Sequence, residues 1–322
     1  MLTRRTALAA IAGLVVAPQA RAQDFPSRPV TIIVPYPAGG PVDTVARLIA
    51  RNATAELKQS ILVDNRGGGA GVIGSVAVAR AEPDGHTLVL GTNQTHATNQ
   101  SLLKNCPYDA VKDFVPVAGL ADIPHVLVTR KSLQMSNVAD LIKAAKAMSD
   151  NFYYGSTGVG SASHLTAELF KTRTGVDIRH VPFRGSAPLL TELVAGRIDI
   201  SFATLPTVIA QIEGGTLDAL AIASAKRAAR LPQVATLAEL GTTGVEADAW
   251  FVLFAPAKTP PAAVERLYAV VGKALSQDDA KAALAAQGMM LALRPPAEVA
   301  AWLPGEVAKW AGVIKAAGVV VE

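Results

Sequence analysis

Short apolar runs of strand length alternate with segments of helical periodicity along most of the chain. The predicted strands are 30–34, 61–63, 87–90, 125–129 and the runs NFYYG, VDIRHVPF, IDISFATL and LDALAIAS. A first helix is predicted to start at Pro41, because apolar residues recur on one face from Val42 to Ile49. Ser136 and Asn137 predict the cap of another helix. This regular alternation predicts an α/β fold with parallel sheets covered by helices.

The predicted strands are too many for one sheet in a chain of 322 residues. We therefore predict two lobes, each a sheet flanked by helices. The first lobe is predicted over 23–122 and 248–322 and the second over 123–247, so that the chain crosses between lobes twice. Two helical patterns fill the tail, and Pro304 is expected to kink or split the second of them.

The segment 1–22 has the pattern of an export signal. Arg4 and Arg5 precede an apolar stretch, and Ala20-Arg21-Ala22 forms a small-x-small cleavage site. The apolar stretch is too short to span a bilayer, which argues against a membrane anchor. The arginine pair suits either a Sec or a twin-arginine signal. We therefore predict that 1–22 is removed and that the mature protein is periplasmic.

Composition excludes one class of partner. Half of the residues are apolar and 17% are charged, so the chain can bury a sizeable core. A pI of about 9.2 would suit nucleic acid, but Arg4, Arg5 and Arg21 lie in the predicted signal, and without them the formal charge falls from +4 to +1. With 5% aromatic residues and no basic run, nucleic-acid binding is excluded.

The single cysteine, Cys106, rules out an intramolecular disulfide and a thiolate metal cluster. It is expected to be a small, partly buried hydrophobe. No spacing of histidines and acids suggests a metal site, and no nucleophile–base pair can be named. We accordingly predict a protein that is not an enzyme and that carries no cofactor or metal.

Three strand-to-helix connections, 35–41, 65–71 and 155–161, are rich in glycine or hydroxyl groups. In the first and third, free N–H groups and the helix dipole at a helix start attract anions. The third adds hydroxyls from Ser156, Thr157 and Ser161. Neither of the two contains a lysine or arginine, and this favours a carboxylate over a polyphosphate.

The middle connection leaves an alternative open. Gly69, Gly71 and Gly74 match the G-x-G-x-x-G dinucleotide fingerprint after a strand. The acid that should end the next strand is absent, since Asp84 precedes that strand. We favour the interpretation that these glycines permit tight turns and close helix–sheet packing. An exported dinucleotide-dependent oxidoreductase remains the alternative function.

Several polar residues near these loops have ordinary structural interpretations. Asp43, in the first turn of its helix, is expected to complement the helix N-terminus more than to contact a ligand. His164 and His180 are expected to be packed or capping histidines. Two interpretations of Arg184 are equally favoured: its side chain faces the cleft, or it lies on a solvated rim.

Six segments together resemble a known family. They are VPYPAGGPVDTVARL, VDNRGGGAGVIGSVAVARAEPDGHTLVLGT, CPYDAVKDFVPVAGL, YGSTGVGSASHLTAELF, VDIRHVPFRGSAPLLTELVAGRIDISF and EVAKWAGVIKAAG. They are similar to the extracytoplasmic solute receptors of tripartite tricarboxylate transporters, the Bug family. The resemblance implies a periplasmic, two-lobe binding protein of type II, with one small ligand, usually a carboxylate, in a cleft between the lobes.

The resemblance also implies partners. An inner-membrane tripartite tricarboxylate transporter would receive the ligand, and we predict a monomeric receptor. A sensor that presents its ligand-bound form to a signalling partner would share the same fold and site, and the sequence leaves that alternative open.

The same resemblance implies three ligand loops. Pro37–Gly40 and Ser156–Ser161 would grip one carboxylate through backbone and water, and Gly91–Asn93 would form the third loop. Many members have Asp-Asn at the positions of Ala203 and Thr204, so the partner of the far end of the ligand is left open here. The predicted ligand-binding residues are Tyr36, Pro37, Ala38, Gly39, Gly40, Asp43, Gly91, Thr92, Asn93, Ser156, Thr157, Gly158, Gly160, Ser161, Ala203 and Thr204.

Overall fold

The structure, a computed structural model, describes residues 25–148 and 151–319. The predicted signal peptide, 1–22, lies outside these residues. The strands are β1 (Val30–Val34), β2 (Ile61–Asn65), β3 (Thr87–Thr92), β4 (Phe114–Ile123), β5 (His125–Arg130), β6 (Tyr153–Ser156), β7 (Arg179–Pro182), β8 (Ile200–Thr204), β9 (Leu217–Ile222), β10 (Ala249–Pro256) and β11 (Met290–Leu291). The helices are α1 (Pro41–Leu57), α2 (Val72–Ala79), α3 (Asn99–Leu102), α4 (Val138–Met148), α5 (Ala162–Thr174), α6 (Ser186–Val194), α7 (Leu205–Glu213), α8 (Pro261–Leu275), α9 (Asp278–Ala286) and α10 (Pro296–Ala317).

The strands form two sheets, each flanked by helices, and the predicted two-lobe α/β fold is confirmed. The first sheet has the order β11-β4-β10-β3-β1-β2, and the second has the order β7-β6-β8-β5-β9. The expectation of parallel sheets is wrong, because β10 is antiparallel to β3 and β4, and β5 is antiparallel to β8 and β9. These are the strands next to the two chain crossings. A strand that carries the chain into a lobe must start at the hinge, where the other strands end.

The hinge is made of two neighbouring chain crossings. Only Pro124 separates β4 from β5. On the return path Ala249 pairs with Ile123, and the Ala247 carbonyl lies 2.6 Å from His125 Nδ1. The crossings are therefore tied to each other as well as to both sheets. The lobe boundaries predicted at 122/123 and 247/248 stay predictions.

Helix α1 has the predicted apolar face. Val45 and Ile49 are fully buried, and they pack in the first-lobe core with Val30 and Ile32 of β1. Burying such side chains contributes roughly 1.5–3 kcal/mol each. The helix begins at Pro41, as predicted. This local pair, β1 followed by α1, fixes the loop between them at the end of the strand.

The tail helix α10 runs unbroken through Pro304, so the predicted split is wrong. Proline removes its own N–H from the helical ladder and crowds the carbonyl four residues earlier, at a cost of about 3 kcal/mol. Packing of the helix offsets this cost, because Leu303, Trp310 and Ile314 on its apolar face are buried in one cluster. That cluster also contains Leu165 from α5 of the second lobe, so α10 packs against both lobes. Within the described ranges, no helix has the length and apolarity needed to cross a membrane.

Candidate functional site

The loops that carry the predicted ligand residues lie at the facing edges of the two sheets. Since β10 starts at the hinge and is antiparallel to β3, both β3 and its parallel neighbour β1 end at the hinge edge. In the second sheet, His125 at the start of β5 pairs with Thr204 at the end of β8, and β6 runs parallel to β8. The carboxyl ends of strands in such sheets are where ligands usually bind.

A chain of contacts joins the loops. The Tyr36 hydroxyl lies 2.7 Å from Thr92 Oγ1, and this connects the loop after β1 with the end of β3. Thr98 Oγ1 then donates to the Gly160 carbonyl at 3.1 Å, and this connects the turn after β3 with the loop after β6. Three loops that are distant in sequence are thus brought to one place between the lobes.

The first loop presents fewer amide donors than its sequence suggests. Pro37, Ala38 and Gly39 are exposed, and Gly39 has a φ of +86°. The Gly39 amide is occupied, because it donates to Asp43 Oδ2 at 2.9 Å. Within the described residues, the amides of Ala38 and Gly40 have no protein acceptor. These two N–H groups are therefore the donors that the loop can offer an anion.

Asp43 lies beneath this loop. It is 4% exposed and accepts hydrogen bonds from the Gly39 amide, Asn65 Nδ2 and Arg47 Nε. Burial alone would raise the pKa of the Asp43 carboxyl, but the hydrogen bonds from Arg47, Gly39 and Asn65 outweigh burial and hold that pKa below its usual range. The Asp43 carboxylate therefore accepts the hydrogen bonds that hold the loop in its conformation.

We expect Asp43→Ala to lower the free energy of unfolding by about 1–3 kcal/mol, since the Gly39, Asn65 and Arg47 donors lose a buried, charged acceptor. The ranking of carboxylate ligands should stay the same. Urea denaturation and calorimetric titration measure the two effects. Asp43→Asn keeps an acceptor for the Gly39 amide and should lose less stability. A changed ligand ranking in the alanine variant would assign Asp43 to direct contact instead.

The second loop is braced by its own side chains. Ser156 Oγ accepts from the Gly158 amide at 3.2 Å, and Ser163 Oγ accepts from the Thr157 amide at 3.0 Å. The Ser161 hydroxyl caps α5 by accepting from the His164 amide. Ser156 and Ser161 are buried, so their hydroxyls shape the loop.

Two amides at the tip of the second loop are available to donate to a ligand. The Gly160 amide is taken by His164 Nδ1 at 2.9 Å. The amides of Val159 and Ala162 have no protein acceptor in the part of the chain that the structure describes. Like the amides of Ala38 and Gly40 on the first lobe, they are two backbone donors without a protein acceptor.

The third loop faces the hinge. Asn93 is 1% exposed; its Nδ2 donates to the Asp248 carbonyl, and its Oδ1 accepts from the Trp250 amide at 2.8 Å. A Cβ atom on Gly91 would lie 2.7 Å from Phe254, so this glycine permits close packing against β10. The Thr92 side chain connects this loop to the first loop through its hydrogen bond with Tyr36.

The end of β8 offers little polarity. Ala203 is buried in an apolar cluster with Val126 and Leu205. Thr204 is half-buried, and its hydroxyl lies 3.0 Å from Thr207 Oγ1. The alanine therefore supplies no group for the far end of a ligand.

Two further parts of the crevice were not predicted from the sequence. They are the turn Gln94–Thr98, which contacts both ligand loops, and Leu102, which lies against Gly160. Gln94 Oε1 accepts weakly from the Tyr36 hydroxyl at 3.4 Å, and burial raises the pKa of Tyr36 to about 12, so that hydroxyl stays neutral. The one available signal was the polar run NQTHATNQ directly after β3.

Gly74, the last glycine of the dinucleotide pattern, has a packing role. A Cβ atom on Gly74 would lie 3.0 Å from Pro35 Cα and from the Arg66 carbonyl oxygen. Backbone atoms cannot yield easily, so α2 can approach β1 this closely only with glycine at that position. No group of three histidine, cysteine or acidic residues within the described ranges could hold a metal ion.

A titratable carboxyl lies at the hinge. Asp248 accepts a hydrogen bond from Ser224 Oγ of the second lobe. Burial raises the pKa of Asp248 to about 6, against the opposing effect of the Ser224 hydrogen bond. Because the folded pKa exceeds the unfolded value, the stabilisation from protonated Asp248 is complete below pH 3.8 and is lost as the pH rises through about 6.

Asp248→Asn, which is neutral at every pH, should therefore raise the free energy of unfolding by about 1–2 kcal/mol at neutral pH. The advantage should shrink as the pH falls toward 5, where the wild-type carboxyl is protonated. Urea denaturation across this range measures the difference, and Asp177→Asn at an exposed position of the second lobe serves as a control. A stability gain for Asp248→Asn that does not vary with pH would contradict the prediction.

The two sheets, the hinge and the crevice loops define a two-lobe periplasmic binding protein. Residues 45–319 match the tripartite tricarboxylate transporter family receptor, and the chain belongs to this family. The members are periplasmic solute-binding receptors, not enzymes. The resemblance stated from the sequence is confirmed.

Relatives cover nearly the whole chain. Protein BugT of Bordetella pertussis is 37% identical over 298 residues, which are 92% of this chain and 91% of that protein. An R. palustris protein solved with adipate has a TM-score of 0.86 and 38% identity, over 92% of this chain and 100% of that one. MatC from Rhodopseudomonas palustris with bound malate has a TM-score of 0.82 and 35% identity, over 90% and 100%.

Proposed function

We propose that this protein captures one small carboxylate between its lobes and delivers it to a tripartite tricarboxylate-type membrane transporter. The main support is the pair of amide sets, Ala38 with Gly40 and Val159 with Ala162, on loops linked through Tyr36 and Thr98. Amides at strand and helix ends bind carboxylates without a cationic side chain. The adipate and malate bound to two relatives favour the same class of ligand.

Delivery to a transporter is proposed from family membership. We also propose that 1–22 is the export signal, that the mature protein is a periplasmic monomer, and that its lobes divide near 122/123 and 247/248. N-terminal sequencing of protein recovered from the periplasm tests the cleavage site. Light scattering of the same sample tests the monomeric state.

A thermal-shift screen tests the binding function. A ligand that binds only the folded state adds about 2.7 kcal/mol of stability at a hundredfold excess over its Kd. The panel should hold adipate, malate, other aliphatic and aromatic acids, amino acids and NAD(P). Mass spectrometry after denaturation detects a ligand that is carried through purification. A flat response to every acid, from protein shown to be empty, would refute the proposal, and protection by NAD(P) alone would favour the dinucleotide alternative.

A further inference from the structure

Two histidines are stacked beneath the second ligand loop. The rings of His164 on α5 and His180 on β7 have centroids 3.9 Å apart and an interplanar angle of 7°. The ring of Tyr154 on β6 lies 4.8 Å from that of His180 and extends the stack. Packed imidazoles were expected from the sequence, but their pairing across two elements was not.

Each imidazole holds a different part of the loop. His164 Nδ1 accepts a hydrogen bond from the Gly160 amide at 2.9 Å, in a buried position. His180 Nε2 lies 2.6 Å from Ser156 Oγ. Between these two points stand Val159 and its free amide, so the histidine pair fixes both sides of the segment that would meet an anion.

The Gly160 contact defines where the His164 proton is. An amide can only donate, so Nδ1 must be unprotonated, and the single ring proton of the neutral imidazole is on Nε2. That nitrogen lies 3.9 Å from Glu168 Oε1. A second proton on Nδ1 would point two N–H groups at each other and remove the hydrogen bond.

Burial, helped by a nearby positive charge, keeps His164 neutral. Glu168 on the same helix accepts from the Tyr154 hydroxyl at 2.5 Å and from Lys171 Nζ at 3.1 Å, so its charge is already engaged. Burial, followed by the nearby Lys171 charge, lowers the pKa of His164 to about 4. Burial and the neighbouring His164 lower that of His180 to about 3.

We propose that His164 is a positioning residue of the ligand site, whose Nδ1 holds the Gly160 amide and so orients the free amide of Val159 toward the crevice. The inference rests on the proposed function, because it assigns His164 a part in shaping the same carboxylate site. Loop orientation matters since an amide must point at the oxygen it binds, and misdirection loses that hydrogen bond.

Two substitutions separate the acceptor from the bulk of the side chain. His164→Asn places Oδ1 near the position of Nδ1 and keeps an acceptor for Gly160. His164→Leu fills the space without one. Leu141→Ala, a buried position on α4 of the same lobe, controls for general loss of stability. Adipate binding is measured by calorimetry, and hydrogen exchange of the Gly160 amide is measured by NMR in the ligand-free protein.

We expect the leucine variant to bind adipate about tenfold more weakly and to lose Gly160 protection, as one lost hydrogen bond of about 1.4 kcal/mol would require. The asparagine and Leu141→Ala variants should keep both properties within about threefold. Equal adipate affinity in the leucine and asparagine variants would overturn the proposal. Unchanged Gly160 exchange in the leucine variant would also overturn it.

The outcomes distinguish this inference from the proposed function. If the wild-type protein binds neither adipate nor any acid of the panel, the function fails, and an inference about that ligand site falls with it. If the leucine variant does not fold, ¹⁵N shifts of His164 in the wild-type protein decide the matter. An unprotonated Nδ1 hydrogen-bonded to Gly160 supports the assignment, and a protonated Nδ1 refutes it.

Discussion

Gly160→Ala is expected to weaken carboxylate binding about 100-fold, because the added methyl group would collide with a side chain of the other lobe. Gly160 has a φ of +72°, and a Cβ atom there would lie 2.8 Å from Leu102 Cδ1 and closer still to Cδ2. Leu102 belongs to the first lobe and Gly160 to the second. The added methyl therefore acts as a wedge that opposes closure, and a closure penalty of about 2.7 kcal/mol corresponds to that loss of affinity.

Gly175→Ala is the matched control. Gly175 ends α5 in the same lobe with a φ of +66°, but a Cβ atom there would meet nothing within 4 Å. It carries the same backbone strain without the wedge, so its stability should fall by about 1 kcal/mol while its affinity is kept. Trimming the opposing side chain in Gly160→Ala/Leu102→Ala should restore part of the binding. Equal affinities for the two single glycine variants, by calorimetry, would show that the lobes do not close at this contact.

Trp310→Ala should lower the free energy of unfolding by about 3–5 kcal/mol, the cost of removing a large, fully buried side chain. Trp310 is 0% exposed and lies in the cluster that joins α10 to both lobes. Its indole N–H donates to Glu306 Oε2 at 3.0 Å, and the same oxygen accepts from the Trp250 indole at 3.1 Å. The substitution thus leaves a cavity and removes one of the two indole donors that hold the half-buried Glu306 carboxylate.

Trp302→Ala on the same helix provides the comparison. Trp302 is only partly buried; it packs edge-on against Trp250 and lies under the Arg294 guanidinium. Its loss should cost about 1–2 kcal/mol, mainly through lost packing area. Urea denaturation of both variants gives the two values. A smaller loss for Trp310 than for Trp302 would mean that the buried Trp310 side chain is not the main anchor of the tail helix.

Local pattern was enough to predict the elements that position the first loop. The apolar run of β1, the proline at the start of α1 and the helical spacing of Val45 and Ile49 all depend on neighbours in sequence. Strand direction did not follow in the same way. The antiparallel placement of β10 depends on the chain's return through the hinge, a long-range constraint that no local periodicity carries.

The candidate site was predictable to the level of loops but not of atoms. The exposed Pro37–Gly39 turn was expected to offer amides, and yet Gly39 donates to Asp43 and leaves Ala38 and Gly40. Ser156 was expected to supply a hydroxyl, and its hydroxyl instead engages Gly158 and His180. These assignments depend on which acceptor lies nearest in three dimensions, and glycine and serine content alone does not determine that.

Leu165 gives the receptor a thermodynamic signature. This leucine belongs to a second-lobe helix but is enclosed among first-lobe side chains. Separation of the lobes would expose to water an aliphatic surface that does not belong to the ligand site. Binding of even a very polar acid should therefore be accompanied by a negative heat-capacity change. The size of that change reports how far apart the two lobes are in the ligand-free protein.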